Sequence, residues 1–475
     1  MRKIIIGGII VSLTGCANFN FLNKDESVVT PEKYKTTNLL IKENLSEIEK
    51  NEKMKNWWGQ FNDPVLSEVI NKSQENSPSI ATAIVNIKNH EAILESNIRK
   101  TSPNVSLSGS VERYGIRGYD SGTYSSLGLT TSWELDLFGK NELIKKSNIK
   151  NIENAKASWH DAKTMVAAEA ARTYFNYNFC QKSLGVLNED YEAKKSQNEI
   201  IKLKVNAGFE AKSSLFQTEA GLAQSEANIL ATESQCKGYI KSLVALTAMS
   251  EDYLNDLLQK TIKDPHNLEL FVPVNIPGNL IYQRPDIFNS MNNIKIASLG
   301  YEKTKLDALP EISISGNISS SLSSIGGVST SGNNWSIGPL TIYLPIFNSQ
   351  LRKVNEDLAK LQYEQTKLQF YSDLRNAIKE VEVSMINLNS HNERLSLLEK
   401  SVNNYKKLYL ATKQKYEVGL ASLFELEDVR RQLLSETKGQ INNELDKVNS
   451  WIDLYKAVGG GFTVIGEKDE IKQPQ

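Results

Sequence analysis

Three cysteines hold all the thiol chemistry of this 475-residue chain. Cys16 ends Leu13-Thr14-Gly15-Cys16, directly after the apolar run 4–13 and the basic pair Arg2-Lys3. A positive segment followed by an apolar stretch too short to span a bilayer is a secretory signal. Its last four residues resemble a lipobox, which implies cleavage before Cys16 and acylation of the thiol and the new amino group; acyl chains anchor a protein to a membrane. Cys180 and Cys236 lie 28 residues to either side of Gly208. A hairpin centred on that glycine would set them level in an oxidising compartment. Packed helix axes stand about 8–10 Å apart, however, and a disulfide needs Cα atoms within about 7 Å. A bridge and two free thiols both stay open.

Little other chemistry is available. His90, His160, His266 and His391 are scattered, and with the cysteines they match no zinc spacing. The sequence has no phosphate-cradling loop, no nucleophile elbow and no dinucleotide fingerprint. No enzymatic activity, no metal and no cofactor beyond the lipid on Cys16 are expected, so energy for any work must come from a partner. A formal net charge of -1 gives no basic field for nucleic acid. No apolar run reaches the roughly 18–20 residues of a membrane helix, which leaves a β-barrel open.

The elements that must position these residues come twice. Pro103-Asn104-Val105-Ser106-Leu107-Ser108-Gly109 and Pro310-Glu311-Ile312-Ser313-Ile314-Ser315-Gly316 each open an alternating strand, a Ser/Gly-rich loop, a second strand and a long proline-free tract. All 12 prolines lie outside 104–264 and 346–473, and proline inside a helix costs about 3 kcal/mol. Repeats of this kind are a fold-level signal. The expected layout is a signal peptide at 1–15 and a lipidated tether with an equatorial segment at 16–62. Repeat 1 covers 63–248, with strands near 103–118 and 123–138 and a helical hairpin over 139–248. An equatorial linker fills 249–283. Repeat 2 covers 284–461, with strands near 310–322 and 335–347, a Ser/Gly loop at 320–334 and a hairpin over 348–459. A tail closes the chain at 462–475.

In the strands, Val105, Leu107, Val111, Leu127, Leu129, Trp133 and Leu135 alternate with serine, threonine and acids, a period of two with one apolar face. Asp63-Pro64 reads as a helix start, with a break at Pro78. The first long helix would reach nearly 100 Å. Gly208 and Gly419 mark the hairpin turns. Leu374, Val381, Leu388, Leu395, Val402, Tyr409 and Tyr416 form a heptad seam for a partner helix. Four strands cannot close a barrel, and an open edge cannot face lipid, so several chains must share one. The fold class is therefore mainly α with a small β part. Three chains would supply a 12-stranded barrel, four strands per chain.

Local motifs add a resemblance. Trp57-Trp58-Gly59-Gln60-Phe61-Asn62-Asp63-Pro64-Val65-Leu66, the junction Ser132-Trp133-Glu134-Leu135-Asp136-Leu137-Phe138-Gly139-Lys140, Arg284-Pro285-Asp286-Ile287, Ala308-Leu309-Pro310 and Gly459-Gly460-Gly461-Phe462 occur in order. Together they resemble the NodT/OprM-like outer-membrane efflux lipoproteins of the TolC superfamily. The resemblance implies a homotrimeric exit duct for drugs or other small toxic compounds, its trimeric barrel continued by a long periplasmic helical barrel with a mixed equatorial domain. It would be lipid-anchored in the outer membrane of a Gram-negative bacterium and docked to a periplasmic adaptor and an inner-membrane transporter of the resistance-nodulation-division class. Ala17 after the lipidated cysteine fits outer-membrane sorting. A protein-secretion duct and an adaptor or structural coiled-coil lipoprotein are the alternatives. The resemblance also places the hairpin tips at the periplasmic end. Gly208, Phe209, Gly419, Leu420 and Leu423 would meet the adaptor, and Glu417, Leu420, Leu423 and Glu425 are candidates for a pore constriction. Trp133 and Phe138 would sit at the barrel rim, or pack on the helix crown. Trp57 and Trp58 are expected to pack in the waist.

Overall fold

A computed structural model describes residues 57–115, 117–118, 120–260, 281, 284–347 and 349–462. Cys16, the tether and most of the linker lie outside these residues. A 3-10 turn at Trp58–Phe61 leads into α1 (Pro64–Glu75) and α2 (Pro78–Lys100). The strands β1 (Asn104–Tyr114) and β2 (Gly122–Leu135) follow, then α3 (Lys140–Asn206), α4 (Lys212–Thr247) and α5 (Glu251–Leu258). The second repeat supplies α6 (Pro285–Leu306), β3 (Glu311–Ile325), β4 (Val328–Tyr343), α7 (Ser349–Glu417) and α8 (Leu423–Ala457). No described helix is long and apolar enough to cross a membrane.

Local chemistry accounts for the helix starts. The Asp63 carboxylate accepts from the N–H groups of Val65 and Leu66 at 2.9 and 3.2 Å, and Pro64 takes the first position, where its missing N–H costs nothing. Ser77 caps α2 in the same way ahead of Pro78. With 67 and 69 residues, α3 and α7 each extend about 100 Å. Neither is amphipathic over its whole length, because different stretches meet different neighbours. On α7 the heptad seam holds. Leu374, Val381 and Leu388 are buried, and Leu395, Val402, Tyr409 and Tyr416 are half-buried.

The core sits at mid-height. Four small residues of α3, Ala167, Ala168, Ala170 and Ala171, are buried there and let neighbouring helices approach. Around them gather Trp57, Phe61, Tyr174, Phe175, Trp451 and Ile452. The ring centroids of Trp57 and Trp451 are 4.5 Å apart, and Phe61 meets Trp451 edge-on at 4.9 Å. The Tyr174 hydroxyl donates to Asp63, tying the α1 cap into this core. Both tryptophans of the opening motif thus pack in the waist.

The four strands form one antiparallel sheet in the order β1-β2-β3-β4. Three expectations need correction. The segment 320–334 is strand, not loop: β3 runs to Ile325, β4 starts at Val328, and the turn is Gly326-Gly327 alone, with φ of 57° and 84°. Two residues with positive φ are what a tight hairpin turn requires, and glycine adopts them without a Cβ clash. Serine-rich composition imitated a loop because both faces of this stretch are largely polar. The other pair is shorter than expected, β1 ending at Tyr114 and β2 at Leu135. The linker, lastly, opens with a helix of its own, α5, capped by Ser250. In β4 one extra residue at Gly338-Pro339 absorbs a proline that cannot join the ladder, and the alternation resumes beyond it.

Candidate functional site

The sheet register assembles one continuous apolar face. Leu107, Leu129, Ile318 and Trp335 are direct neighbours across all four strands. So are Val105, Thr131, Gly316 and Ile337, and below them Trp133, Ile314 and Leu340. From Leu135 to the level of Val111 and Leu322 this face climbs ten residues of strand, roughly 25 Å at the usual barrel tilt, its top two rows interrupted by Ser125, Ser320, Ser331 and Asn333. That is the height of the lipid-facing band of an outer-membrane barrel. The opposite face carries rows such as Ser106, Thr130, Asn317 and Ser336. The apolar side chains are exposed and meet no second sheet among the described residues. The outer edges of β1 and β4 have no partner strand among the described residues.

Both rim residues sit at the foot of the sheet. Trp133 donates its indole N–H to the Thr101 carbonyl at 2.8 Å, fixing the end of β2 against the end of α2, and Phe138 is exposed just beyond. Lys140, which opens α3, reaches Asp307 at 2.9 Å and Glu311 at 3.0 Å. The hydrogen bond to Asp307 holds its ammonium above the ordinary lysine range, against the opposing effect of burial.

The two hairpin tips repeat one geometry. Gly208 and Gly419 both have φ of 78°. The N–H of Phe209 donates to the Lys204 carbonyl at 2.8 Å, and that of Leu420 to the Lys415 carbonyl at 2.7 Å. These are matched Schellman ends, which satisfy carbonyls that a helix terminus otherwise leaves open. Phe209 is 84% exposed and Leu420 78%. Glu417 and Glu425 are exposed as well. Leu423 departs from expectation, being only 8% exposed. Ser422 caps α8 at the Glu425 N–H, and the turn it starts points Leu423 and Leu426 into the hairpin rather than out of the tip.

Two features have roles that the sequence reading did not assign. The first is Arg430 of α8, buried about three helical turns above the tip. Its guanidinium donates to Gln197 of α3 at 2.7 Å, Glu427 at 2.9 Å and the Tyr409 hydroxyl of α7 at 3.0 Å. One side chain therefore ties hairpin 2 to hairpin 1, and nearby the Lys204 ammonium lies 5.2 Å from the Tyr416 ring. A hydrogen bond to a charged group contributes about 1.5–3 kcal/mol, and removing one partner strands the other. Arg430→Ala should speed amide exchange in 190–210 and 405–430 while leaving the waist protected, and Arg430→Lys should lie between. Unchanged exchange at the tips would mean that the latch is idle.

The second is at the waist, where Arg284 is nearly buried. Burial opposes its charge, but Asp286 and Glu380, at 2.7 and 2.8 Å, outweigh that and hold it above its ordinary value. Its remaining donor reaches the Ala457 carbonyl at 2.9 Å, so the Arg-Pro-Asp motif clamps α6 to the end of α8. Among the described residues no cluster of histidine, cysteine and acids could hold a metal.

The profile of the family described as "Outer membrane efflux protein" matches residues 69–249 and 276–460, one match per repeat. The chain is 25% identical over 420 residues to the solvent efflux pump outer membrane protein SrpC of Pseudomonas putida, covering 85% of this chain and 87% of that one. It is 22% identical to the probable outer membrane lipoprotein SilC of Salmonella typhimurium, covering 86% and 88%. Among solved structures, the CmeC outer membrane channel of Campylobacter jejuni superposes with a TM-score of 0.76 at 24% identity, covering 87% and 89%.

Proposed function

This chain belongs to the outer membrane efflux protein family, and we propose that it is the exit duct of an efflux pump, a passive channel through which small toxic compounds cross the bacterial outer membrane. The observation that carries the reading is the sheet: one face apolar, the other polar, both edges unpaired among the described residues, and helices about 100 Å long hanging from it. Backbone groups at an open edge cannot be left in lipid. Three copies joined β4 to β1 would give twelve strands and no edge, with the apolar face in lipid and the polar face around water. Their α3, α4, α7 and α8 would continue as a tube of twelve helices across the periplasm.

In this reading Cys16 carries the lipid anchor, in keeping with the lipoprotein name of the similar SilC protein. The tips would receive a periplasmic adaptor on Gly208, Phe209, Gly419 and Leu420, and an inner-membrane transporter would supply the energy. Leu420 is the apolar candidate for the constriction, with Glu417 and Glu425 beside it. Opening would require the Arg430 latch between the hairpins to part.

Native mass spectrometry of the detergent-extracted protein tests the assembly and the anchor together. The expected species is a trimer whose chains start at Cys16 and carry added acyl mass. A stable monomer would overturn the shared barrel, and an unmodified Cys16 would remove the anchor.

A further inference from the structure

We propose that Glu134 is the charge-selecting residue of the β-barrel. Three copies, one per chain, would ring the throat between barrel and helical tube and favour cations in transit. The inference rests on the shared-barrel reading above.

The polar face of the sheet is nearly free of charge. Apart from Ile325 and Val328 at the turn, its strand positions hold serine, threonine, asparagine, glycine and tyrosine, together with three carboxylates, Glu112, Glu134 and Glu311. Neither Glu112 nor Glu311 stands unpaired at the foot of the sheet. Glu311 is bound by the Lys140 ammonium at 3.0 Å. Glu112 lies at the far end of the sheet, level with Tyr124. Glu134 makes no ion pair with a described residue, and its partner across the ladder is the neutral Ser313. The neighbouring Asp136 carboxylate is engaged by the Asn141 N–H at 3.1 Å.

The direction of Glu134 is fixed as well. Trp133 is held on the apolar face by its bond to Thr101, and successive side chains of a strand point to opposite faces. Glu134 therefore projects from the polar face and is exposed. A ring of carboxylates in a water-filled passage with low-dielectric walls concentrates cations and repels anions. With serines and threonines above it, nothing on the wall competes with this field. The screening length falls from about 10 Å at 0.1 M salt to about 3 Å at 1 M, so the preference should fade at high salt.

The test is the reversal potential of the full-length protein in planar bilayers under a potassium chloride gradient, at low and at high mean salt. Wild type should show cation preference at low salt. Glu134→Gln should lose most of it with the channel still conducting, and Glu134→Asp, which keeps the charge, should retain it. The rival location is the tip, where Glu417→Gln with Glu425→Gln would abolish the preference instead. An unchanged reversal potential in Glu134→Gln overturns the inference, as does abolition by the tip pair or a wild type without cation preference. A trimer that conducts neither as wild type nor with the latch removed by Arg430→Ala removes the duct reading itself, a result distinct from conduction without selectivity.

Discussion

Arginine at Ile318 is expected to abolish assembly into the membrane. Ile318 is 67% exposed and lies in the middle row of the apolar face, between Leu129 and Trp335. An arginine at the lipid midplane costs about 2–4 kcal/mol per copy, so a trimer would bear roughly 6–12 kcal/mol. Ser319→Arg is the control, one residue along the same strand but on the polar face. The measurement is the fraction of folded trimer in outer membranes. Ile318→Arg should leave almost none, and Ser319→Arg should be nearly normal. Equal loss in both would mean that the faces are assigned wrongly.

The second large effect concerns the cross-link in hairpin 1. Cys180 of α3 and Cys236 of α4 are joined by a disulfide, with Cα atoms 5.7 Å apart and a sequence separation of 56. The spacing between helix axes had left this pairing in doubt, but the geometry resolves it. Each Cα stands about 2.3 Å off its axis, so residues facing each other across axes about 10 Å apart bring their Cα atoms to about 5.4 Å. In the chain-entropy account a loop of this length contributes about 4 kcal/mol. Cys180→Ser should lower stability to denaturant by about that much, and so should Cys236→Ser. The double variant should be no worse than either, because one bond is lost in each case. Additive losses would refute a shared bond. In hairpin 2 the corresponding position, His391, is instead hydrogen-bonded to Asn443 at 3.0 and 2.8 Å. Ordinary hydrogen bonds contribute about 1 kcal/mol each. Hairpin 1 is therefore the covalently cross-linked arm, and hairpin 2 carries the Arg430 latch that joins them.

The long helices were readable because proline is excluded from them over so many residues, and the tips because glycine marks a left-handed turn in each repeat. The apolar rows of the sheet were readable from period-two alternation in β1, β2 and the lower half of β3. That signal disappears where a strand is polar on both faces, which is why the Ser/Gly stretch passed for a loop. Leu423 was misplaced because the direction of a side chain after a turn depends on where the next helix begins, and Ser422 sets that. Arg430 left no local trace, since its partners come from three helices whose register only the packed bundle defines. Glu134 was visible in the junction motif, but its isolation appears only when the four strands are laid side by side.

The unpaired edges of β1 and β4 have a genetic consequence. If every closed ring needs three sound copies, a defective allele cannot remain silent beside a good one. Equal expression of both would leave roughly one ring in eight free of the bad chain under random mixing of cyclic trimers. Variants that still pair at one edge but fail at the other should therefore act as dominant poisons. Truncations that never form the sheet should be recessive.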